Sequence, residues 1–298
     1  MPAYPFLLVD AFTTRPMGGN PCAVVLDADD LTPETMQRLA REFNQSETAF
    51  VRRSSLADVA VHYFTPAEEI PLAGHPTIAT AAALVHAGRV SLTGGPVSLQ
   101  FELRDGPIGV DIAPASATHA LQVTMTQRRP VFGALHDPAV VMPLFGLTPD
   151  DVLPGAPIQT VSTGTPQLMI LLRDHDALRR AQAPEADTYN KYRSSSDFFS
   201  PHLFCLGGAT SAGRTFARHF GTPPDITEDP VTGSATGAMA AYLWHHNYLP
   251  GPDFVAEQGH WMNRPGNVQV RVVGSRDAIE TVQISGSAVV VVEGTLQL

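Results

Sequence analysis

Three titratable side chains stand where this chain of 298 residues could use them to move a proton. His75 follows Gly74 at the head of GHPTIATAAALVH. Asp229 lies shortly before Gly233 in EDPVTGSATGAMAAYL, and Glu47 sits in NQSETAFV, between a helix end and a strand start. A carboxylate at such a junction can be held in a dry cleft, an environment that suits proton transfer. A neighbouring imidazole or second carboxyl group can hydrogen-bond the substrate as charge develops. Taken singly, each residue has an ordinary alternative. A glutamate can be a solvated surface charge, a histidine after glycine a helix-start hydrogen bonder, and an aspartate before Pro230 a turn or cap. Their joint placement around two matching segments favours chemistry.

Those two segments are one sentence written twice. EIPLAGHPTIATAAAL from Glu69 and EDPVTGSATGAMAAYL from Glu228 align without a gap, 159 residues apart (69 to 228, 74 to 233). A second matched pair, GNPCAVVL at Gly19 and GTPQLMILL at Gly164, precedes them in the same order. Ala-rich helices resemble one another easily, but here the match extends upstream into Glu-x-Pro. Two copies of one domain are expected, 1–126 and 127–298, related by a pseudo-two-fold, with the last strand (about 287–298) returning to the first half.

The repeated helices indicate how each half is built. Between Gly74 and Gly88 the only titratable residues are His75 at the start and His86 at the end, and between Gly233 and Trp244 there is only Tyr242, so neither run carries an Asp, Glu, Lys or Arg. A helix apolar on every side must be wrapped, and these are too short to cross a bilayer. Strands must supply the wrapping, so each half is predicted to be a curled sheet around a central helix, in the α+β class. Only the helix ends remain accessible. Gly74 and Gly233 let backbone approach a ligand, and the first N–H groups of each helix lack intrahelical partners. If the halves face each other, both termini point into one cleft and make an anion site, each contributing about 0.3–1 kcal/mol, or up to about 2 when partly buried. A small carboxylate fits best, because no P-loop or full GxGxxG is present to hold a nucleotide phosphate.

The remaining sequence supports this plan. FLLVDAF, CAVVLD, DVAVHYF, LMILL, LFCL and VQVRV read as strands, as does the alternation Val97, Leu99, Phe101, Leu103. Thr32 and Pro33 open one amphipathic helix with Met36, Leu39, Ala40 and Phe43 on its apolar face. Prolines from Pro130 to Pro157 suggest a domain junction, about 179–200 a polar surface excursion, and Val289 to Val292 a buried strand. A net charge of −10 without a basic stripe argues against nucleic acid and anionic membranes as partners. Two cysteines, Cys22 and Cys205, form no metal or redox motif, and the histidines include no HExxH. With no signal-like start and no membrane-length apolar run, a cytoplasmic location is expected. ATSAG at Ala209 reads as a turn rather than a nucleophile elbow, and the Arg pairs at Arg128 and Arg179 as solvated surface.

Together, VDAFTTRPMGGNPCAVVLD, NQSETAFV, YFTPAEEIPLAGHPTIATAAAL, TGTPQLMI, ITEDPVTGSATGAMAAYL, EQGHWMNRPGNVQV and SGSAVVVVEGTL resemble the PhzF family of phenazine biosynthesis, which shares the diaminopimelate epimerase fold. The resemblance covers nearly the whole chain. It implies isomerisation of a dihydro-hydroxyanthranilate or similar small cyclic or amino-acid-like carboxylate, with no metal or organic cofactor. A homodimer is an expectation from the resemblance alone. The alternative readings are another epimerase or lyase reaction on a small carboxylate, or a non-catalytic ligand- or partner-binding protein. The resemblance assigns proton shuttling to Glu47 and assisting roles to His75 and Asp229. Ser234 would lie beside the backbone that binds carboxylate, and Asn20 would be a further binding residue. Related racemases carry paired cysteines at the two helix starts, where this sequence has Ala73 and Thr232, so a two-thiol mechanism is disfavoured. Asn263, Gly266 and Arg218 also depart from the family pattern, which bears on substrate identity more than on fold.

Overall fold

Alternating apolar runs punctuated by glycine and proline fold here into strands, and the two Ala-rich runs into helices. The computed structural model describes residues 2–115 and 120–298. Its chain divides into two compact units, Met1–Gln127 with Ile284–Leu298, and Arg128–Gln283.

In the first unit the order is β1 (Ala3–Ala11), β2 (Asn20–Val25), α1 (Pro33–Phe43), β3 (Thr48–Arg52), β4 (Val59–Phe64), the short β5 (Glu69–Ile70), α2 (Gly74–His86), β6 (Val97–Leu103), β7 (Gly106–Ala113) and β8 (Gln122–Thr126). β2 runs parallel to β3, β3 antiparallel to β4, and β4 pairs with β5 on one register and with β6, in parallel, on another. β6, β7 and β8 follow as an antiparallel meander, and the terminal strand Ala288–Gln297 returns to pair with β1. α2 packs against β1, β2, β3, β7 and β8, and every residue from Gly74 to Leu84 is buried. This is the predicted curled sheet around a helix. α1 starts at the Thr32 cap, whose hydroxyl accepts from the Thr35 N–H, a contact worth about 1 kcal/mol. Its Met36, Leu39 and Ala40 pack with Tyr4, Val25, Leu31, Phe50 and Phe64.

The second unit contains β9 (Val131–His136), α3 (Pro138–Val141), β10 (Ile158–Ser162), β11 (Pro166–Leu171), α4 (His175–Arg180), α5 (Ala186–Arg193), β12 (Ser200–Leu206), β13 (Thr215–Phe220), β14 (Glu228–Asp229), α6 (Gly233–His245), β15 (Asp253–Gln258), β16 (Gly266–Ser275) and the greater part of β17 (Ala278–Gly286), which passes into the first unit at Ile284. Its pairing repeats that of the first unit. β11 is parallel to β12, β12 antiparallel to β13, and β13 pairs with the short β14 and, in parallel, with β15. α6 is again buried continuously, from Gly233 to Leu243.

Three local expectations differ from the structure. The polar stretch near 179–200 contains the helix α5, capped by Glu185 and anchored by the buried Tyr189. Its pattern is too short and too polar to announce a helix. Arg180 is not merely solvated, because it grips the buried carboxylate of Asp151 at 2.6 Å. The valines of the last strand, β18 (Ala288–Gln297), are only partly covered, with Val291 39% and Val292 42% exposed. A β-branched run signals a strand, but it does not say that both faces are covered.

Candidate functional site

In the first unit, β2 begins with Asn20, α2 begins with Gly74 and His75, and Glu47 immediately precedes β3. The parallel pairing of β2 with β3 brings the two strand starts together, since Ala23 stands opposite Thr48. Ser46 donates its hydroxyl to Asn20 Oδ1 at 3.3 Å. That turns the amide nitrogen toward His75, where Asn20 Nδ2 lies 3.0 Å from Nδ1. Because the amide can only donate there, Nδ1 must accept, and the ring carries its proton on Nε2. His75 Nε2 in turn lies 3.4 Å from Glu47 Oε2.

Burial decides the charge state of this arrangement. The His75 ring is 2% exposed, and loss of solvation pushes its pKa down to about 3. It is therefore neutral at pH 7, and the contact with Glu47 is an imidazole N–H beside a carboxylate rather than an ion pair. The Glu47 side chain retains 18% exposure, while its Oε2, the atom nearest His75, is buried. Gly74 is the first helical residue after the extended Ala73, and no side chain caps this helix start.

The second unit places Asp229 at the end of β14 and Gly233 and Ser234 at the start of α6. Asp229 Oδ2 accepts the Thr232 hydroxyl at 2.5 Å. The Thr232 backbone N–H donates to Gln258 Oε1 at 3.1 Å, while Gln258 Nε2 donates to Asp229 O at 2.7 Å and to Thr232 Oγ1 at 3.2 Å. The Ser234 carbonyl accepts from the Thr163 hydroxyl. Behind this segment His202 and His219 share an Nδ1 to Nδ1 contact of 3.2 Å, and burial depresses both pKa values, that of His219 to about 3.

Thus the structure gathers Asn20, Glu47, Gly74 and His75 in one unit, and Asp229, Gly233 and Ser234 in the other. Asn20 is fully buried and spends its amide on His75. Ser46, Thr232 and Gln258 were not among the residues expected at a site. Ser46 and Gln258 lie in NQSETAFV and EQGHWMNRPGNVQV, yet their bonds join segments far apart in sequence. Both helices have a non-thiol at the cap position, Ala73 and Thr232. Cys22 and Cys205 are buried within β2 and β12, and burial pushes the Cys22 thiol well up and that of Cys205 to about 12. Neither is a thiolate nucleophile at neutral pH.

The model of the phenazine biosynthesis-like protein family, PhzC-PhzF, matches residues 9–294. The chain belongs to this family. An uncharacterised isomerase of Salmonella typhimurium, YddE, is 37% identical over 295 residues, covering 95% of this chain and 94% of the relative. The trans-2,3-dihydro-3-hydroxyanthranilate isomerase of Pseudomonas aeruginosa is 32% identical over 300 residues, covering 98% and 99%. The crystal structure of a PhzF-family phenazine biosynthesis protein from Bacillus anthracis superposes with a TM-score of 0.87 at 30% identity, over 100% of both chains. The PhzF family supplies both the epimerase-like fold of each unit and an isomerase- or epimerase-like activity on a small molecule. No helix among the described residues is long and apolar enough to cross a membrane.

Proposed function

We propose that this PhzF-family protein is a cofactor-independent isomerase that moves a proton on a small cyclic or amino-acid-like carboxylate, with dihydro-hydroxyanthranilate as the model substrate. The Glu47 carboxylate removes a proton from one ring carbon. The electron pair left behind shifts through the adjacent double bonds, and the same carboxyl group returns the proton at another carbon. Nothing is oxidised or reduced, and Glu47 ends as it began. His75, neutral and carrying its proton on Nε2, donates to the polar group on which charge develops. Asp229 and Ser234 contribute polar contacts to the same substrate, and backbone N–H groups at Gly74 and Gly233 hold its carboxylate.

The observation that carries this proposal is the chain Ser46–Asn20–His75–Glu47, which fixes the imidazole as a neutral donor beside a partly exposed glutamate. Overall similarity to the Pseudomonas aeruginosa isomerase supports the choice of model substrate. The test is incubation of the purified protein with dihydro-hydroxyanthranilate in heavy water, followed by mass and proton spectra, beside Glu47→Gln. Isomerised product carrying deuterium is expected, with the rate reduced about 10²–10⁴-fold in the variant, the usual contribution of a general acid–base group. Binding without turnover would reject this substrate and point to another small carboxylate. Turnover that survives Glu47→Gln would reject the assignment of the base.

A further inference from the structure

The two copies of the repeat differ at the positions that hold the segment entering the central helix. Val59 faces Phe101 across β4 and β6, and Thr215 faces Ala256 across β13 and β15, so Gln258 takes the place that Leu103 has in the first unit. By the ungapped alignment of the two segments, Thr232 replaces Ala73 and Asp229 replaces Ile70. Three apolar positions of one copy are therefore three mutually hydrogen-bonded polar residues in the other. All three are buried, with Gln258 3%, Asp229 7% and Thr232 8% exposed. A repeat needs no such substitution in order to fold, as the first unit demonstrates with leucine, alanine and isoleucine.

From this difference we infer that Gln258 is a positioning residue that acts through Thr232 on Asp229. The direction of each bond follows from the donor inventory. Gln258 Nε2 can only donate, and it donates to Thr232 Oγ1 at 3.2 Å and Asp229 O at 2.7 Å. With a lone pair of Oγ1 occupied in this way, the threonine's single hydroxyl proton is left for Asp229 Oδ2, 2.5 Å away. Gln258 Oε1 meanwhile fixes the Thr232 backbone by accepting its N–H at 3.1 Å. The next residue tightens the same contact. Gly259 has φ +81°, and a Cβ there would lie 2.6 Å from Pro230 O, inside the turn between Asp229 and Thr232. One amide therefore sets the backbone of the turn and, through one hydroxyl, the orientation of a carboxylate.

This inference rests on the proposed role of Asp229, and the experiment separates the two. The full chain is prepared as wild type, Gln258→Met, Thr232→Val and Thr232→Ser, and each is assayed for isomerisation of dihydro-hydroxyanthranilate and for amide hydrogen exchange between residues 229 and 234. The Met and Val variants are expected to lose kcat about tenfold or more, with KM within about twofold of wild type, the size expected from one buried hydrogen bond. Thr232→Ser, which keeps the hydroxyl, should restore kcat to within about threefold. In Gln258→Met the Thr232 amide should exchange about tenfold faster. An unchanged kcat in an active Gln258→Met protein would overturn the inference, as would an unchanged Thr232 amide. If wild type does not turn over this substrate, dihydro-hydroxyanthranilate is rejected as the substrate and the kinetic readout falls away. Amide exchange then decides the Gln258 clamp alone, faster exchange confined to the turn supporting it and unchanged exchange refuting it.

Discussion

Replacing Asn20 with aspartate changes very little volume and reverses one hydrogen bond. In the wild-type protein the Asn20 amide donates to His75 Nδ1 at 3.0 Å, and this bond holds the ring proton on Nε2. Aspartate can only accept at that position, so the ring must turn its proton to Nδ1 and present an Nε2 lone pair to Glu47 Oε2, 3.4 Å away. An unmade hydrogen bond at a buried polar group costs about 1–3 kcal/mol, which corresponds to about five- to 150-fold in an equilibrium. Reversing the bond removes the productive tautomer and stabilises the unproductive one, so the two effects act in the same direction. A loss of kcat of about 100-fold or more is expected. Asn20→Leu leaves Nδ1 without a donor but introduces no competing acceptor, and should lose less. Nitrogen-15 spectra of labelled imidazoles read the tautomer directly, independently of turnover. The wild type should show a neutral Nε2–H ring, and Asn20→Asp an Nδ1–H ring or an imidazolium whose pKa has risen from about 3. A wild-type ring protonated on Nδ1, or an Asn20→Asp enzyme within about threefold of wild-type kcat, would refute the tautomer argument.

Two further outcomes concern stability. His75, His202 and His219 all have folded pKa values lowered by burial, to about 3 for His75 and His219. The unfolded chain, with histidines near 6.5, therefore binds more protons below that value, and stability should fall as pH drops from about 6.5 toward about 3. In the first unit the places of His202 and His219 are held by Ala49 and Tyr63, which face each other in the equivalent register. The double variant His202→Ala/His219→Tyr should then lose melting temperature less steeply between pH 7 and 5 in calorimetry, and an unchanged slope would refute this account. Arg180→Ala should destabilise the fold modestly, because the buried Asp151 loses its principal partner while the half-exposed arginine limits the Coulombic share. Arg180 is the main cause of the Asp151 carboxyl lying at about 2, so the wild-type contribution is present above pH 4 and lost as pH falls through about 2. Denaturant unfolding of the variant should show less additional loss over that interval.

What the sequence by itself determined is local chemistry and its repetition. Two Ala-rich segments nearly free of charge had to be wrapped, and the offset of 159 residues made the wrapping happen twice (69 to 228). Thr32, Pro33 and the apolar stripe from Met36 to Ala40 placed α1 because caps and helical periodicity act over a single turn or two. Glu47, His75 and Asp229 could be selected for the same reason, each lying beside the boundary of an element. The tertiary structure decided what these side chains touch. Pairing of β2 with β3 sets Asn20 against His75, 55 residues away in sequence, and thereby fixes a tautomer that no local pattern encodes. Pairing of β13 with both β14 and β15 brings Gln258 to Asp229, and burial makes His75 neutral. Helix α5 and the half-covered valines of β18 escaped the sequence pattern on the same physical ground. Whether a face is buried depends on which chain segment arrives to cover it, and that is settled only when the sheet has closed around its helix.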